Sequence, residues 1–289
     1  MSSTIKTYKN YVNGGFIRSE SNVTSVISYK ARSCNISSST RKDLRNSLVG
    51  NRKAIESYSK SNALLRTQII YRIAENLEAR EAEFLTLSNE IKDLSKSASN
   101  SKGSTNYKSA KEEFNEVITR LVSLAGWPDK AGQLLSSVNP VSGDYFNTTV
   151  LNPVGVSLSF LEVSDKPLLE SINKIILPII SGNTVTLVVD KVYGPLLTTL
   201  GEVLDASDVP AGVINILTAD CATLFEVGAL HYDVNLIEVS SLSRESCAQI
   251  RRAGALTNLK KIVEIKGSND LSNINLFVEY KSIWQSVGY

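Results

Sequence analysis

Short, almost wholly apolar runs alternate with longer amphipathic segments in the chain after residue 127. Such runs are typical of strands buried on both faces of a parallel sheet, and the segments between them are typical of covering helices. The strands are predicted at 154–162, 183–189, 212–218, 235–240 and 260–266. The helices are predicted at 168–180, 193–206, 221–229 and 243–254. This order predicts an α/β fold with a doubly wound parallel sheet.

The first part of the chain has a different pattern. Residues 11–20 predict a β-hairpin, because Asn13 and Gly14 can adopt the positive φ values of a tight turn. From Thr40, which can cap a helix, to about Leu94, apolar residues recur at helical spacing.

A polar stretch at 95–110 predicts a surface loop, and a further helix follows to about Leu124. We therefore treat 1–289 as one domain. It has an N-terminal hairpin and helical part at 1–126 and a β/α sheet part at 127–289.

The charge of the chain is balanced, with 31 basic and 29 acidic residues and a formal net charge of +2. No block of one sign predicts nucleic-acid binding. No N-terminal signal segment or long apolar run predicts a membrane span. We therefore expect a cytoplasmic protein whose partners include neither nucleic acid nor membrane.

The residues suited to metal or thiol chemistry are few and widely spaced. Cys34, Cys221 and Cys247 form no CxxC pair, and His231 is the single histidine. This spacing predicts reduced thiols and no metal site.

Ligands of parallel α/β sheets bind beyond the carboxyl ends of the strands, which here follow Val189, Thr218 and Ser240. None of these turns carries GxGxxG or GxxxxGKS, the glycine-rich cradles of phosphate groups. Nothing in the turns themselves predicts a phosphate site.

Four segments, in order, resemble the aldehyde dehydrogenase superfamily over nearly the whole chain. They read YVNGGFIRS, LLRTQIIYRIAENLEAREAEFLTLSNE, NPVGVSLSFLEVSDKPLLESINKIILPIISGNTVTL and SDVPAGVINILT. The resemblance implies a Rossmann-type cofactor domain and an antiparallel oligomerisation ribbon near 145–153, with the catalytic domain missing. Shorter motifs, KTYKNYVNGG, HYDVN and YKSIWQSVGY, resemble the non-catalytic second module of tandem aldehyde dehydrogenases, family 16.

Active members of that family use a cysteine nucleophile, an oxyanion-binding asparagine, a glutamate base and a nicotinamide cofactor. Aligned on the family, Asp165 replaces the asparagine, and its carboxylate would repel an oxyanion. Glu264 is a relic of the general base. No cysteine follows Glu264, and Cys247 precedes it, so the resemblance implies that the nucleophile is absent.

The cofactor positions of the family are also altered. Val188 replaces the lysine that meets the adenosine ribose, and its side chain has no hydrogen-bond donor. In VSSLSRES, Ser240, Ser243 and Arg244 are the candidate cofactor-binding residues, whereas Ser241 stands where the family has glycine. We therefore expect no bound cofactor, with NAD or NADP as the ligand if this site is retained.

Three hypotheses follow. The first is a catalytically inactive module, a pseudoenzyme, that acts through oligomerisation or a protein partner. The alternative is a nicotinamide-nucleotide-binding subunit of an aldehyde-oxidising enzyme whose cysteine comes from another chain. The third is a gene product that lacks an upstream catalytic module. In the tail, Ile283, Trp284 and Tyr289 are either an apolar docking patch or residues that pack on the protein's own sheet.

Overall fold

The computed structural model describes residues 5–29, 32–98, 109–162 and 164–287, and a seven-stranded sheet lies at its centre. The strands are β1 (Thr7–Tyr8), β2 (Asn10–Val12), β3 (Gly15–Ile17), β4 (Thr24–Ser28), β5 (Ser33–Ser37), β6 (Ser137–Asn139), β7 (Tyr145–Pro153), β8 (Val156–Leu161), β9 (Thr184–Asp190), β10 (Ile214–Ala219), β11 (Leu236–Glu238), β12 (Lys261–Val263) and β13 (Val278–Ser286). The helices are α1 (Arg41–Tyr58), α2 (Ala63–Ala79), α3 (Glu81–Ala98), α4 (Ala110–Ala125), α5 (Pro128–Leu135), α6 (Pro167–Ile180), α7 (Gly194–Asp205), α8 (Phe225–Leu230), α9 (Arg244–Gly254) and α10 (Asp270–Asn275).

The order of strands in the central sheet is β12-β11-β8-β9-β10-β2-β3. The strands from β12 to β10 are parallel, and the N-terminal hairpin of β2 and β3 adds to β10 in antiparallel orientation. Its turn residues, Asn13 and Gly14, have φ values of 53° and 73°, as the hairpin prediction required. Because the strands from β12 to β10 are parallel, their carboxyl ends lie along one edge of the sheet.

The sheet is covered on both faces, because the side chains of its parallel strands alternate between two apolar cores. One core lies against α6 and contains Ile172, Ile176 and Leu187. The other lies against α1 and α8 and contains Val188 and Phe225. The core that a strand residue enters therefore determines the face of the sheet on which its side chain lies.

The start of α6 is held by a side chain from another helix. Pro167 is suited to the first turn because it needs no hydrogen-bond partner for a backbone N–H. The buried carboxylate of Glu113, on α4, accepts hydrogen bonds from the N–H groups of Leu168 at 3.0 Å and Leu169 at 3.4 Å. Burial raises the pKa of Glu113, although Lys92 and these two N–H groups lower it. The turn that carries Asp165 is thus fixed from α4.

A separate antiparallel sheet has the order β13-β7-β6. Strand β7 occupies 145–153, where the resemblance implied a ribbon. The tail forms β13 and pairs with β7 over nine residues, from Val278 opposite Pro153 to Ser286 opposite Tyr145. Of the two alternatives for the tail, packing as core residues on the protein's own sheet is wrong for Ile283 and Trp284, which are exposed strand residues, while Tyr289 lies outside the described residues.

The strands and helices predicted after residue 127 are present with the predicted type, although several boundaries differ and α5, β6, α10 and β13 were not predicted. Strands β11 and β12 are three residues long, shorter than the predicted 235–240 and 260–266. The predicted loop at 95–110 lies mostly outside the described residues, and α3 continues to Ala98. The division into 1–126 and 127–289 stays a prediction. No helix in the described part of the chain has the length and apolarity that a bilayer crossing requires.

Candidate functional site

Three carboxylates follow the carboxyl ends of neighbouring strands, namely Glu162 after β8, Asp190 at the end of β9 and Asp220 after β10. Burial raises the pKa of Glu162, and the negative charges of Asp190 and Asp220 raise it further. Burial and Asp220 also raise the pKa of Asp190, although the N–H of Val192 lowers it. This edge is therefore electrostatically unfavourable for a phosphate group.

Val188 lies on β9 two residues before this cluster, and its side chain is 0% exposed. It belongs to the core on the α1 and α8 side, with Leu217 and Phe225. Its carbonyl accepts a hydrogen bond from the thiol of Cys221 at 3.7 Å. Because this side chain is wholly enclosed, it offers no surface to a ligand.

Ser240, Ser243 and Arg244 lie together and exposed between β11 and α9. Ser243 caps α9, since its hydroxyl accepts the N–H of Ser246 at 3.1 Å. Arg244 is the first residue of α9, so its positively charged side chain lies at the N-terminal end of the helix, where the helix dipole attracts anions. The structure thus brings the three predicted cofactor residues to one helix start, beside the acidic edge.

A buried ion pair joins Lys174 of α6 to Glu238 of β11, with side chains 2% and 0% exposed. Glu238 also accepts the N–H of Ser240 at 2.7 Å and that of Ile265 at 3.5 Å. Lys174 lies 3.3 Å from the hydroxyl of Ser240. This pair therefore fixes the backbone after both β11 and β12.

Two adjoining cavities open above this pair. The smaller, of about 240 Å³, is lined by Ser240, Ser241 and Glu170 as well as Lys174. The hydroxyl of Ser241 donates to Glu170 at 2.6 Å, so the residue in place of the family glycine already has a partner. The larger, of about 540 Å³, lies between α4, α6 and the residues after β12. Both are lined by Asn173 and Ile265, so the two cavities adjoin, and together they are called the cleft.

Glu264 follows β12 and forms two ion pairs, each at 3.0 Å, with Lys266 and with Arg251 of α9. The hydrogen bond from Lys266 lowers the pKa of Glu264 most, and Arg251 adds to the effect. A general base works best with a pKa near the working pH, so these cations make it a weaker base. Asp165 lies exposed in the turn before α6 and lines neither cavity.

A sequence model of the aldehyde dehydrogenase family matches residues 16–274. The chain belongs to the aldehyde dehydrogenase family. It is similar to 2-hydroxymuconic semialdehyde dehydrogenase of Pseudomonas sp. (strain CF600), with 28% identity over 261 residues, covering 86% of this chain and 50% of that protein. It is also similar to betaine aldehyde dehydrogenase of Bacillus subtilis (strain 168), with 26% identity over 238 residues, covering 81% and 45%. The chain therefore spans about half the length of the curated relatives it matches.

Solved structures of the family also superpose on most of this chain and on about half of their own length. The NAD-dependent aldehyde dehydrogenase from Sinorhizobium meliloti has a TM-score of 0.76 at 18% identity, covering 90% of this chain and 50% of that one. The NAD+ complex of aldehyde dehydrogenase from Bacillus cereus has a TM-score of 0.74 at 20% identity, again covering 90% and 50%. These likenesses establish the fold and confirm the predicted α/β architecture with its parallel sheet.

An aldehyde dehydrogenase of this family needs a reactive thiolate, and the three cysteines of the sequence are poorly suited to that role. Cys34, Cys221 and Cys247 are all buried and free. Burial raises the pKa of each thiol and is the largest of the effects that act on it. Since the thiolate is the nucleophile, all three are expected to be unreactive in the folded chain.

We predict that a soluble disulfide reagent labels the native chain at least about a hundredfold more slowly than the chain unfolded in guanidinium chloride. The rate is measured from the chromophore released at neutral pH, and mass spectrometry assigns the labelled cysteine. One thiol that reacted as fast in the native state as in the unfolded state would contradict this prediction.

The sequence reasoning missed Glu170 and Lys174, which line the smaller cavity, and Glu238, which forms the buried ion pair with Lys174. A usable signal was present, because Lys174 follows SIN and precedes IILPII, and Glu238 stands alone in NLIEVS. An isolated charge in a mostly apolar element predicts that the side chain has a buried partner, although it does not say which one. No group of three or more potential ligands is arranged to hold a metal ion within the residues that the structure describes.

Proposed function

We propose that this chain is a catalytically inactive aldehyde-dehydrogenase-like module that acts through oligomerisation or a protein partner. The observation that carries the proposal is the burial of all three thiols of the sequence, each with a raised pKa. Aldehyde oxidation in this family begins with attack by a thiolate, and none of these thiols lines the cleft between α4 and α6.

The residues at the oxyanion and general-base positions of the family mechanism also support an inactive module. Asp165 places a negative charge where an oxyanion would need a donor. Glu264 is held ionised by Lys266 and Arg251, which opposes proton uptake. Together these changes remove the nucleophile, the oxyanion donor and an effective base from this chain.

The sheet of β6, β7 and β13 supports the proposed contact role. Trp284 is 62% exposed, and its ring lies edge-on to that of Tyr145 with centroids 6.2 Å apart. Phe146 and Ile283, whose strands place them on the opposite face, are exposed as well. Apolar side chains exposed on both faces of one small sheet support the proposal that another protein covers this surface.

We also propose that the chain corresponds to the second module of the tandem aldehyde dehydrogenases, family 16, and acts in the cytoplasm. The resemblance of the tail YKSIWQSVGY to that module supports this assignment, and residues 280–286 of the tail lie in β13. A companion module that supplied the nucleophile would then be a natural partner.

The second candidate function is a nicotinamide-nucleotide-binding subunit whose catalytic cysteine comes from another chain. It is favoured by the exposed cluster of Ser240, Ser243 and Arg244 at the start of α9, and by the NAD-bound state of the Bacillus cereus relative. Two observations oppose it, namely the enclosure of Val188 and the carboxylates after β8, β9 and β10.

Calorimetric titration with NAD and then NADP separates the two candidates. We predict no saturable heat for either nucleotide up to about millimolar concentration, where a Kd corresponds to only about 4 kcal/mol of binding. Saturable heat that Arg244→Ala weakens by about tenfold would support the nucleotide-binding subunit instead. Arg252→Ala, in the last turn of the same helix, is the matched control. A folded chain is verified first by circular dichroism.

The proposed inactivity is tested by following NAD(P)H formation with a panel of aliphatic and aromatic aldehydes. No turnover above the rate without protein is expected. Turnover that survives repurification and is abolished by Cys221→Ser or Cys247→Ser would overturn the proposal.

A further inference from the structure

Strand β4 is the edge of the small sheet with the order β1-β5-β4. On its inner side it pairs with β5, and Tyr29 and Arg32 exchange both backbone hydrogen bonds just beyond the strand end. Because backbone groups alternate in direction along a strand, the odd-numbered residues of β4 face β5. The N–H and C=O groups of Thr24, Val26 and Ser28 therefore point outward. Within the part of the chain that the structure describes, none of these outward groups has a hydrogen-bond partner.

The residues of this edge favour pairing with another strand. From Val23 to Ser28 the sequence reads VTSVIS, which is rich in β-branched residues and contains no charge, proline or glycine. The side chains of Val23 and Val26 are 54% and 64% exposed. Natural edge strands usually carry lysine, proline or a bulge, or are very short. Strands β3 and β12, at the edges of the central sheet, have three residues each, whereas β4 has five and pairs with β5 without a bulge.

One antiparallel register of two β4 strands pairs all the outward groups. It places Val26 opposite Val26 of the second copy and Thr24 opposite Ser28, which gives about six backbone hydrogen bonds. A shift by two residues leaves about four of these bonds. A shift by one residue opposes outward groups to groups that already face β5, so it forms no ladder. The full register is therefore the most stable one.

We propose that two copies of this chain join by antiparallel pairing of their β4 edges, with a two-fold axis between the two Val26 residues. This inference rests on the proposed function, association with other chains, and it names one surface and its occupant. The surface belongs to a different sheet from strands β6, β7 and β13.

The occupant is a second copy because the edge is complementary to itself, as a two-fold dimer requires. The uncharged run from Val23 to Ser28 opposes no like charges in the full register. Valine faces valine at the axis, and β-branched pairs of this kind stabilise neighbouring strands. The pairing joins two three-stranded sheets into one of six strands.

The proposed contact is small, because each copy contributes one strand edge of five residues. Interfaces at the low end of the size range are weak and transient. We therefore expect a dimer dissociation constant of about 10 μM, which sedimentation equilibrium measures.

The first test compares Val26→Pro with Val26→Thr by sedimentation equilibrium. Proline removes the outward N–H of residue 26 but leaves the bonds to β5, whereas threonine keeps that N–H and a β-branched side chain. Because residue 26 pairs with itself across the axis, each proline dimer loses two hydrogen bonds, so we expect the dissociation constant to rise about thirtyfold. The threonine variant is expected to dimerise within about threefold of the wild type.

The second test places charges at the axis and needs no proline. Val26→Lys and Val26→Glu, each alone, oppose like charges, and each is expected to raise the dissociation constant about tenfold. An equimolar mixture of the two variants opposes unlike charges and is expected to regain the dimer. Val138→Lys, at an exposed valine of β6, is the control for an added charge and is expected to keep the dimer. Thermal unfolding shows that each variant is folded.

The outcomes separate this inference from the proposed function. Loss with proline but not with threonine, together with rescue in the charge-swapped mixture, supports pairing through β4. Equal losses with proline and threonine, or a mixture no better than the single variants, overturn that pairing. A wild-type oligomer that every Val26 variant retains also overturns it, but leaves association through another surface. A wild-type chain that stays monomeric at about 200 μM, far above the expected dissociation constant, overturns self-association and leaves the proposed function only a partner of different sequence.

Discussion

Replacing Glu238 with leucine is expected to lower the free energy of unfolding by about 3–5 kcal/mol, because it leaves the ammonium group of Lys174 buried without its partner. The same change removes the acceptor for the N–H groups of Ser240 and Ile265. Urea unfolding followed by circular dichroism measures the loss. We expect it to come with disorder of the backbone beside the cleft.

The double variant Lys174→Met with Glu238→Leu tests whether the loss arises from the unpaired charge. It is expected to be more stable than the Glu238→Leu variant by about 2 kcal/mol or more, since no buried charge remains. Glu20→Gln is the control, because its pair with Lys42 lies on the surface, and a change within about 1 kcal/mol is expected. Equal losses in the single and double variants would show that the ion pair is not the cause.

The elements of the sheet were predictable because their signal is local. Apolar runs such as SLSFL and TLVV, and the helical spacing of Ile172, Ile175, Ile176 and Ile179, are read within a few residues. The lengths of β11 and β12 were overestimated, because Val239 and Ile265, just beyond the two strand ends, alternate with polar residues as in a strand. Strands β4 and β5 were missed, since SCNIS and TSVIS are small and polar.

Long-range pairing explains what could not be predicted in the site and in the tail. Lys174 and Glu238 are 64 residues apart, and nothing local in either segment identifies its partner. The sequence alone does not decide between a docking patch and packing on the protein's own sheet for the tail, because its pairing with β7 is a long-range contact. The enclosure of Val188 likewise depends on Phe225 and Leu217, which only the fold brings to it.

The second large effect concerns Asn183, whose side chain is 1% exposed and forms hydrogen bonds to three separate segments of the chain. Its side-chain oxygen accepts the N–H of Gly155 at 2.8 Å. Its amide group donates to the carbonyls of Pro178 at 3.0 Å and of Phe277 at 2.8 Å. Phe277 directly precedes β13, so this amide anchors the start of that strand to the sheet.

Asn183→Asp is therefore expected to lower the free energy of unfolding by about 3–5 kcal/mol at neutral pH, because the new carboxylate faces two carbonyl oxygens with no proton to donate. Burial and these oxygens raise the pKa of that carboxyl in the folded state above its unfolded value of about 3.9. Stability relative to wild type is then recovered as the pH falls towards that unfolded value, and is lost as the pH rises through the raised pKa. Urea unfolding at neutral pH and at about pH 4 measures the stability above the raised pKa and near the unfolded value. Asn46→Asp, exposed on α1, is the control for the added charge. A loss at Asn183 no larger than that of the control, or one independent of pH, would show that the amide bonds to Pro178 and Phe277 do not hold the tail to the sheet.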